Sequence, residues 1–323
     1  MKKISNYFLT FSIILFGIGL IFFSSSNIVA VRNSLNLFLN SVFPSLFPFL
    51  IVTELLSYTS LVPWISSKFK RVMPTVFNVS AIGIYPFIMG IISGYPVGAR
   101  IVARLREENK ISRIDGERLL VFTNNAGPLF IIGCIGCSIY LNSSIGFILY
   151  FVHFLSSVTT GFIFGHFYKN TYREEFINNQ HLDFSSLGEI ISKCIKQAFY
   201  TLSTVCGFVI IFSLIVSMID ASKIFNIFNN IWIKDIFFGV LEITTGIQLI
   251  SLIKNSTLFY HLIATSFLLG IGGISVLLQV WSVISKTDLS IKPYIIGKIF
   301  NGFVSAFIMI CLLKFFPIFQ FAL

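Results

Sequence analysis

The sequence predicts an all-α, polytopic membrane protein: about seven transmembrane helices plus two re-entrant hairpins, arranged as an inverted repeat. Three observations predict it. The 323 residues are 55% hydrophobic and 11% charged, too few charges to clothe a water-facing surface, so lipid must cover the apolar exterior. Charge-free runs reach the ~20 residues that cross a hydrocarbon core. Those runs are interrupted by helix breakers at GIISGYPVGAR (90–100), NNAGP (124–128), EITTG (242–246) and GIGGIS (270–275). Broken backbone at membrane depth survives only where protein or a cavity covers it.

Residues 1–32 form the first span. Its Met-Lys-Lys start resembles a secretory signal, but the apolar run of 4–31 exceeds a cleavable core and further spans follow, so it is expected to stay attached. With those lysines cytoplasmic, a second span over 35–58 returns inward, and Lys68, Lys70 and Arg71 lie inside. A simple crossing by 72–99 would then export Arg100, Arg104, Arg106, Lys110, Arg113 and Arg118, against the positive-inside rule. A re-entrant hairpin over about 74–99 removes the conflict. The first repeat, 33–168, is completed by an outward crossing at 118–139 and a return at 145–168. A polar linker, 169–189, leads to a second, inverted repeat over 190–285, with a span at 195–219, a hairpin at 236–253 and a span at 261–284. A C-terminal helix occupies 286–323.

Charge supports this plan. The hairpin side of the first repeat carries nine basic residues between Lys68 and Arg118, and that of the second carries three, Lys223, Lys234 and Lys254. Opposite orientation predicts that asymmetry. Weak internal similarity agrees: FIMGIISGYPVG from Phe87 resembles IFFGVLEITTG from Ile236, and AGPLF from Ala126 lies over GGISV from Gly272.

The net charge of +10 reflects loop lysines and arginines, so no nucleic-acid partner is expected; the partners are the lipid bilayer and a small solute, with homo-oligomerisation left open. Five cysteines in mostly apolar surroundings imply no disulfide framework. Cys134 and Cys137 form a lone CxxC without a nearby histidine, so no metal and no cofactor are expected. No nucleotide-binding glycine loop, HExxH or Ser-His-Asp arrangement appears, so the chain does not read as an enzyme.

The interruptions carry the candidate site. In Ser93-Gly94-Tyr95-Pro96-Val97-Gly98, Ser93 or Gly94 can cap a half-helix that Pro96 opens, leaving N–H groups and a positive dipole end for an anion. Gly98 permits close approach, and Arg100 offers a countercharge or snorkels to the interface. In Asn124-Asn125-Ala126-Gly127-Pro128 the proline frees carbonyls of the preceding turn, and the two carboxamides and Gly127 either hold a ligand or join helices. Glu242 is the only acidic residue between Asp235 and Lys254; with Thr244 and Thr245 beside it, it is a candidate for a coupling cation or proton, or a structural ion pair. Gly272, Gly273, Ser275 and Gln279 complete the site.

These motifs together, SGYPVGAR with the basic helix after it, ERLLVFTNNAGPLFIIG, GVLEITTG, and GGISVLLQVWSVIS with KPYIIGK, resemble the YlbJ/SpoVV family of sporulation integral membrane proteins over roughly 43–303. The resemblance implies a nucleoside-recognition, or Gate, domain, distantly similar to concentrative nucleoside transporters, with hairpins and broken helices around a midplane site. It also implies movement of dipicolinic acid from the mother cell across the outer forespore membrane. The expectation is therefore a secondary transporter of a small anionic aromatic solute in a bacterial cell membrane or outer forespore membrane. A nucleoside transporter and a non-transporting membrane scaffold stand as alternatives.

Overall fold

The computed structural model describes residues 2–167, 187–227, 230–254 and 256–315, and the described residues are helical with no strand. Four helical stretches are long and apolar enough to cross a membrane: Ser143–His166, Leu187–Ala221, Leu258–Ile284 and Lys292–Phe315. Two bent pairs raise the number to six if each crosses once.

Those bends correct the first two expected spans. In place of one straight helix over 4–31, α1 (Lys2–Phe22) and α2 (Ser24–Leu37) meet at Phe23, and the pair bends by 98°. Phe23 leaves helical geometry ahead of a run of serines, whose hydroxyls compete for backbone groups. The second, α3 (Phe43–Leu56), turns through 85° into α4 (Leu61–Lys68) across Ser57 to Ser60.

The first hairpin is α5 (Ile84–Ser93) and α6 (Val97–Glu107), packed against each other around a tip at Gly94, Tyr95 and Pro96. Its second limb runs past Ala99, where the sequence reading ended it, to Glu107. The cause is amphipathic: Ala99, Val102, Ala103 and Leu105 are buried, while Arg100 and Arg104 share the other face. Next, α7 (Arg113–Thr123) stops at Asn124 and continues after Pro128 as a π-helical segment, Leu129–Ile139; α8 (Ser143–Phe167) follows. The expected linker 169–189 lies mostly outside the described residues.

The second half repeats this plan. After α9 (Leu187–Ala221), the hairpin α10 (Ile231–Leu241) and α11 (Ile243–Ser251) turns at Glu242. Then α12 (Leu258–Ile271) breaks at Gly272 and resumes as α13 (Gly273–Ile284), and α14 (Lys292–Phe315) ends the described fold. A methyl group added at Gly90 would lie 3.3 Å from Gly98 Cα, and one at Gly246 would lie 2.0 Å from Gly239 Cα. In both hairpins a glycine therefore brings the limbs to backbone contact at the turn. Between the two hairpins the chain runs through the broken α7 helix, α8 and α9.

Arg106, at the end of α6, bonds both carboxylate oxygens of Asp288 in the α13–α14 loop, at 2.8 and 3.0 Å, so both loops lie on one face. The Arg106 guanidinium holds the Asp288 carboxyl below the usual carboxylate range. A depressed folded value contributes stability that is present above the unfolded pKa of about 4 and lost as pH falls below it. Because Asp288 is exposed, Asp288→Asn is expected to lower stability at pH 7 by less than about 1 kcal/mol, with the difference from wild type in thermal melts shrinking as pH falls through the folded value.

Candidate solute site between the hairpin tips

Both hairpin tips and both helix breaks meet around one cavity of about 70 Å3. Its wall includes Ser93, Gly94 and Tyr95 from the first tip, and Gly127, Leu129 and Phe130 from the first break. Glu242, Ile243 and Thr244 come from the second tip, and Ser275, Val276 and Gln279 from the start of α13. Helix starts contribute to this wall, as do the C-terminal end of α5, through Ile92 and Ser93, and the sides of α3 and α9. The π segment, α11 and α13 each present their first residues to it, whereas the ends of α7, α10 and α12 do not. Helix N-termini carry positive dipole ends and unsatisfied N–H groups, so this enclosure suits negative charge.

Glu242 already uses one of those ends. Its Oε1 accepts from Thr244 N at 3.1 Å, and its Oε2 accepts from Thr245 N and Thr245 Oγ1 at 2.7 Å each. An extended backbone at Glu242 puts the side chain over its own helix, so the residue is the N-cap of α11. Thr245 thus serves the cap and does not line the cavity. The first tip has no such cap: Pro96 offers no side-chain oxygen, and Tyr95, through a cis bond to Pro96, turns its ring toward the second half. The Tyr95 hydroxyl has no hydrogen-bond partner. Gln279 Nε2 lies 3.5 Å from Ser275 Oγ, one turn apart on α13.

Other predicted residues support the site from outside it. A Cβ at Gly98 would lie 2.0 Å from Thr123 O, and one at Gly94 would lie 2.9 Å from Gly127 N, so the first tip is seated directly on the first break. In the second repeat, a Cβ at Gly273 would meet the Gly239 and Val240 carbonyls at 3.4 Å. Gly272, in left-handed geometry at φ 81°, faces the Tyr95 ring. Asn124 and Asn125 are buried behind the cavity: Asn124 Nδ2 donates to Tyr294 Oη at 3.1 Å, and Asn125 Nδ2 donates to Phe122 O at 2.7 Å.

Arg100 is placed elsewhere. Its guanidinium donates to Glu54 Oε2 at 3.2 Å and Thr201 Oγ1 at 2.7 Å, and Arg104 binds the other Glu54 oxygen at 2.8 Å. Both arginines face an open vestibule of about 360 Å3, together with Lys193, Lys286, Glu107 and Glu108. Pro96, Val205 and Gln279 border it, and Val205 and Gln279 also line the inner cavity. A polar antechamber, lined by four cations and by the carboxylates of Glu54, Glu107 and Glu108, thus adjoins the site.

Sequence reasoning missed the polar frame behind the first break. His153 Nε2 accepts from Ala126 N at 3.0 Å, Ser157 Oγ donates to Phe122 O at 2.7 Å, and Lys298 Nζ donates to Asn125 Oδ1 at 3.4 Å. Asn301 extends the frame to the second break, with Nδ2 on Gly270 O at 3.0 Å and Oδ1 accepting from Thr160 at 2.9 Å. The available signal was an ionisable residue inside a span: Lys298 lies six residues into α14.

Twinned hairpins and broken helices around a central cavity define a polytopic, all-helical membrane protein. Residues 39–136 match the family model described as Gate, nucleoside recognition; this stretch contains the first hairpin and the first break. The chain is 30% identical over 316 residues to the sporulation integral membrane protein YlbJ of Bacillus subtilis (strain 168), covering 88% of this chain and 77% of that relative. It belongs to the YlbJ family of sporulation integral membrane proteins. No solved structure matches it.

Proposed function

We propose that the protein is a secondary transporter of a small anionic aromatic solute, with dipicolinate the favoured substrate, carried from the mother cell across the outer forespore membrane. The observation that carries this reading is the wall of the cavity, where three helix starts converge and only one is occupied by a carboxylate, that of Glu242. Tyr95 and Phe130 supply faces for an aromatic ring. The polar vestibule would provide a hydrated path of access. At about 70 Å3 the cavity is narrower than the ~150 Å3 that admits benzene in an engineered core, so loading requires one hairpin to withdraw. Glu242 would couple a proton or cation to that withdrawal, because moving the tip of α11 exposes its cap.

A second reading is favoured by the hydrogen-bonding side chains of Glu242, Thr244, Ser275 and Gln279, which also suit a nucleoside, as the Gate match suggests. Competition separates the two. Proteoliposomes containing the purified protein are expected to take up radiolabelled dipicolinate saturably, with uptake unchanged by a hundredfold excess of uridine; uridine-inhibited uptake, or uridine flux alone, would establish the nucleoside reading.

A further inference from the structure

We infer that Lys298 is the charge that makes the inner site select anions; this rests on the transport reading above and names the residue responsible for its substrate class. Lys298 is 3% exposed in the middle of the helical core, on a helix packed against α7, α8 and α12. Its ammonium has three N–H donors and one protein acceptor, the neutral Asn125 Oδ1 at 3.4 Å, with the Tyr294 ring centroid 5.9 Å away. Among the described residues no carboxylate forms an ion pair with it. A buried cation ordinarily has a countercharge or several good acceptors, and this one has neither.

The groups around it supply no negative charge. His153, from α8, uses Nε2 to accept the Ala126 N–H, so that nitrogen carries no proton. Tyr294, on the same helix, takes up Asn124, and α12 contributes no acidic residue. Asn125 lies on the same break as Gly127, two residues further on, which forms part of the cavity wall. That wall contains one carboxylate, Glu242, whose oxygens are bound by their own helix start. The counterion missing from Lys298 is therefore the solute's carboxylate, which approaches the amine across the Asn125 amide.

Charge and scaffolding separate experimentally. Equilibrium binding to the full-length protein in detergent would use dipicolinate and its neutral isostere, pyridine-2,6-dicarboxamide, with Lys298→Gln, Lys298→Met and Lys298→Arg. Both neutral variants are expected to weaken dipicolinate binding about tenfold, or ~1.4 kcal/mol. Diamide binding should stay within about twofold of wild type and Lys298→Arg should restore the preference. Equal weakening of both ligands would make Lys298 a structural prop and overturn the inference, as would unchanged dipicolinate binding. Wild-type protein that binds neither compound would overturn the transport reading itself.

Discussion

Gly246→Ala is expected to prevent the second hairpin from closing. The added methyl would stand 2.0 Å from Gly239 Cα and 2.4 Å from Gly239 N. Both neighbours are backbone, so no rotamer change relieves the clash, and α10 and α11 must separate. Overpacking of a tight core typically costs ~1–3 kcal/mol, occasionally more; here the whole hairpin must shift, which places the effect at the upper end. Thermal melts of the detergent-purified protein should show a large drop in Tm or no folded protein, and solute flux should fall to background. Gly207→Ala, in α9, is the control: no atom lies within 4 Å of the added methyl, and replacing a helical glycine should stabilise by up to ~1 kcal/mol. A Gly246→Ala protein that melts and transports like wild type would show that the limbs do not meet at this glycine pair.

Glu242→Ala removes the acceptor for three donors at once, Thr244 N, Thr245 N and Thr245 Oγ1. Loss of an N-cap costs ~0.5–2 kcal/mol, and a buried donor left unsatisfied adds ~1–3 kcal/mol. A destabilisation of about 2–4 kcal/mol is expected, with transport reduced by tenfold or more because α11 starts at the cavity wall. Glu242→Gln keeps one acceptor oxygen and should recover most of the stability without recovering flux. Full flux in Glu242→Gln would limit Glu242 to a capping role and move any coupling elsewhere.

Much of this architecture is legible in the chain because breaks in apolar sequence are rare and have few physical explanations. Gly94-Tyr95-Pro96, Asn124 to Pro128, Glu242 and Gly272 are all interruptions in the structure, at the positions their composition indicates. The Arg106–Asp288 pair brings the loop after α6 to the loop after α13. The limits of the first hairpin were harder to read. Arg100 and Arg104 look like loop residues when charge is taken as the end of a buried segment, yet Glu54, 46 residues before Arg100, neutralises them on α6. Nothing local announces a partner that distant. The bends at Phe23 and after Leu56 were illegible for a related reason: hydropathy measures the length of an apolar run and carries no information on its direction.

At the site, the sequence pointed to turn chemistry and the structure added long-range partners. Ser93, Gly94, Tyr95, Gly127, Glu242, Thr244, Ser275 and Gln279 converge on one cavity. Asn124 and Asn125 do not line it and bond instead to Tyr294 and Lys298, some 170 residues later. That side-chain pairing depends on how α14 packs across α7 and α8, which no spacing rule encodes. Glu242 illustrates the other limit: an acidic residue in an apolar run reads as a free functional group, while its backbone conformation determines that it caps its own helix.

The central claim is that the solute binds where the hairpin tips meet the helix breaks. Its most direct test is solute protection of Ser275→Cys in a background lacking the five native cysteines. Ser275 is 1% exposed and lines the cavity, so a small methanethiosulfonate reagent should reach it slowly and block flux. Saturating dipicolinate is expected to slow that inactivation at least tenfold, while a cysteine at the exposed Lys223 on the loop after α9 should label at the same rate with or without solute. Inactivation of the Ser275→Cys protein at an unchanged rate in saturating dipicolinate, with transport active, would place the solute elsewhere and contradict the account.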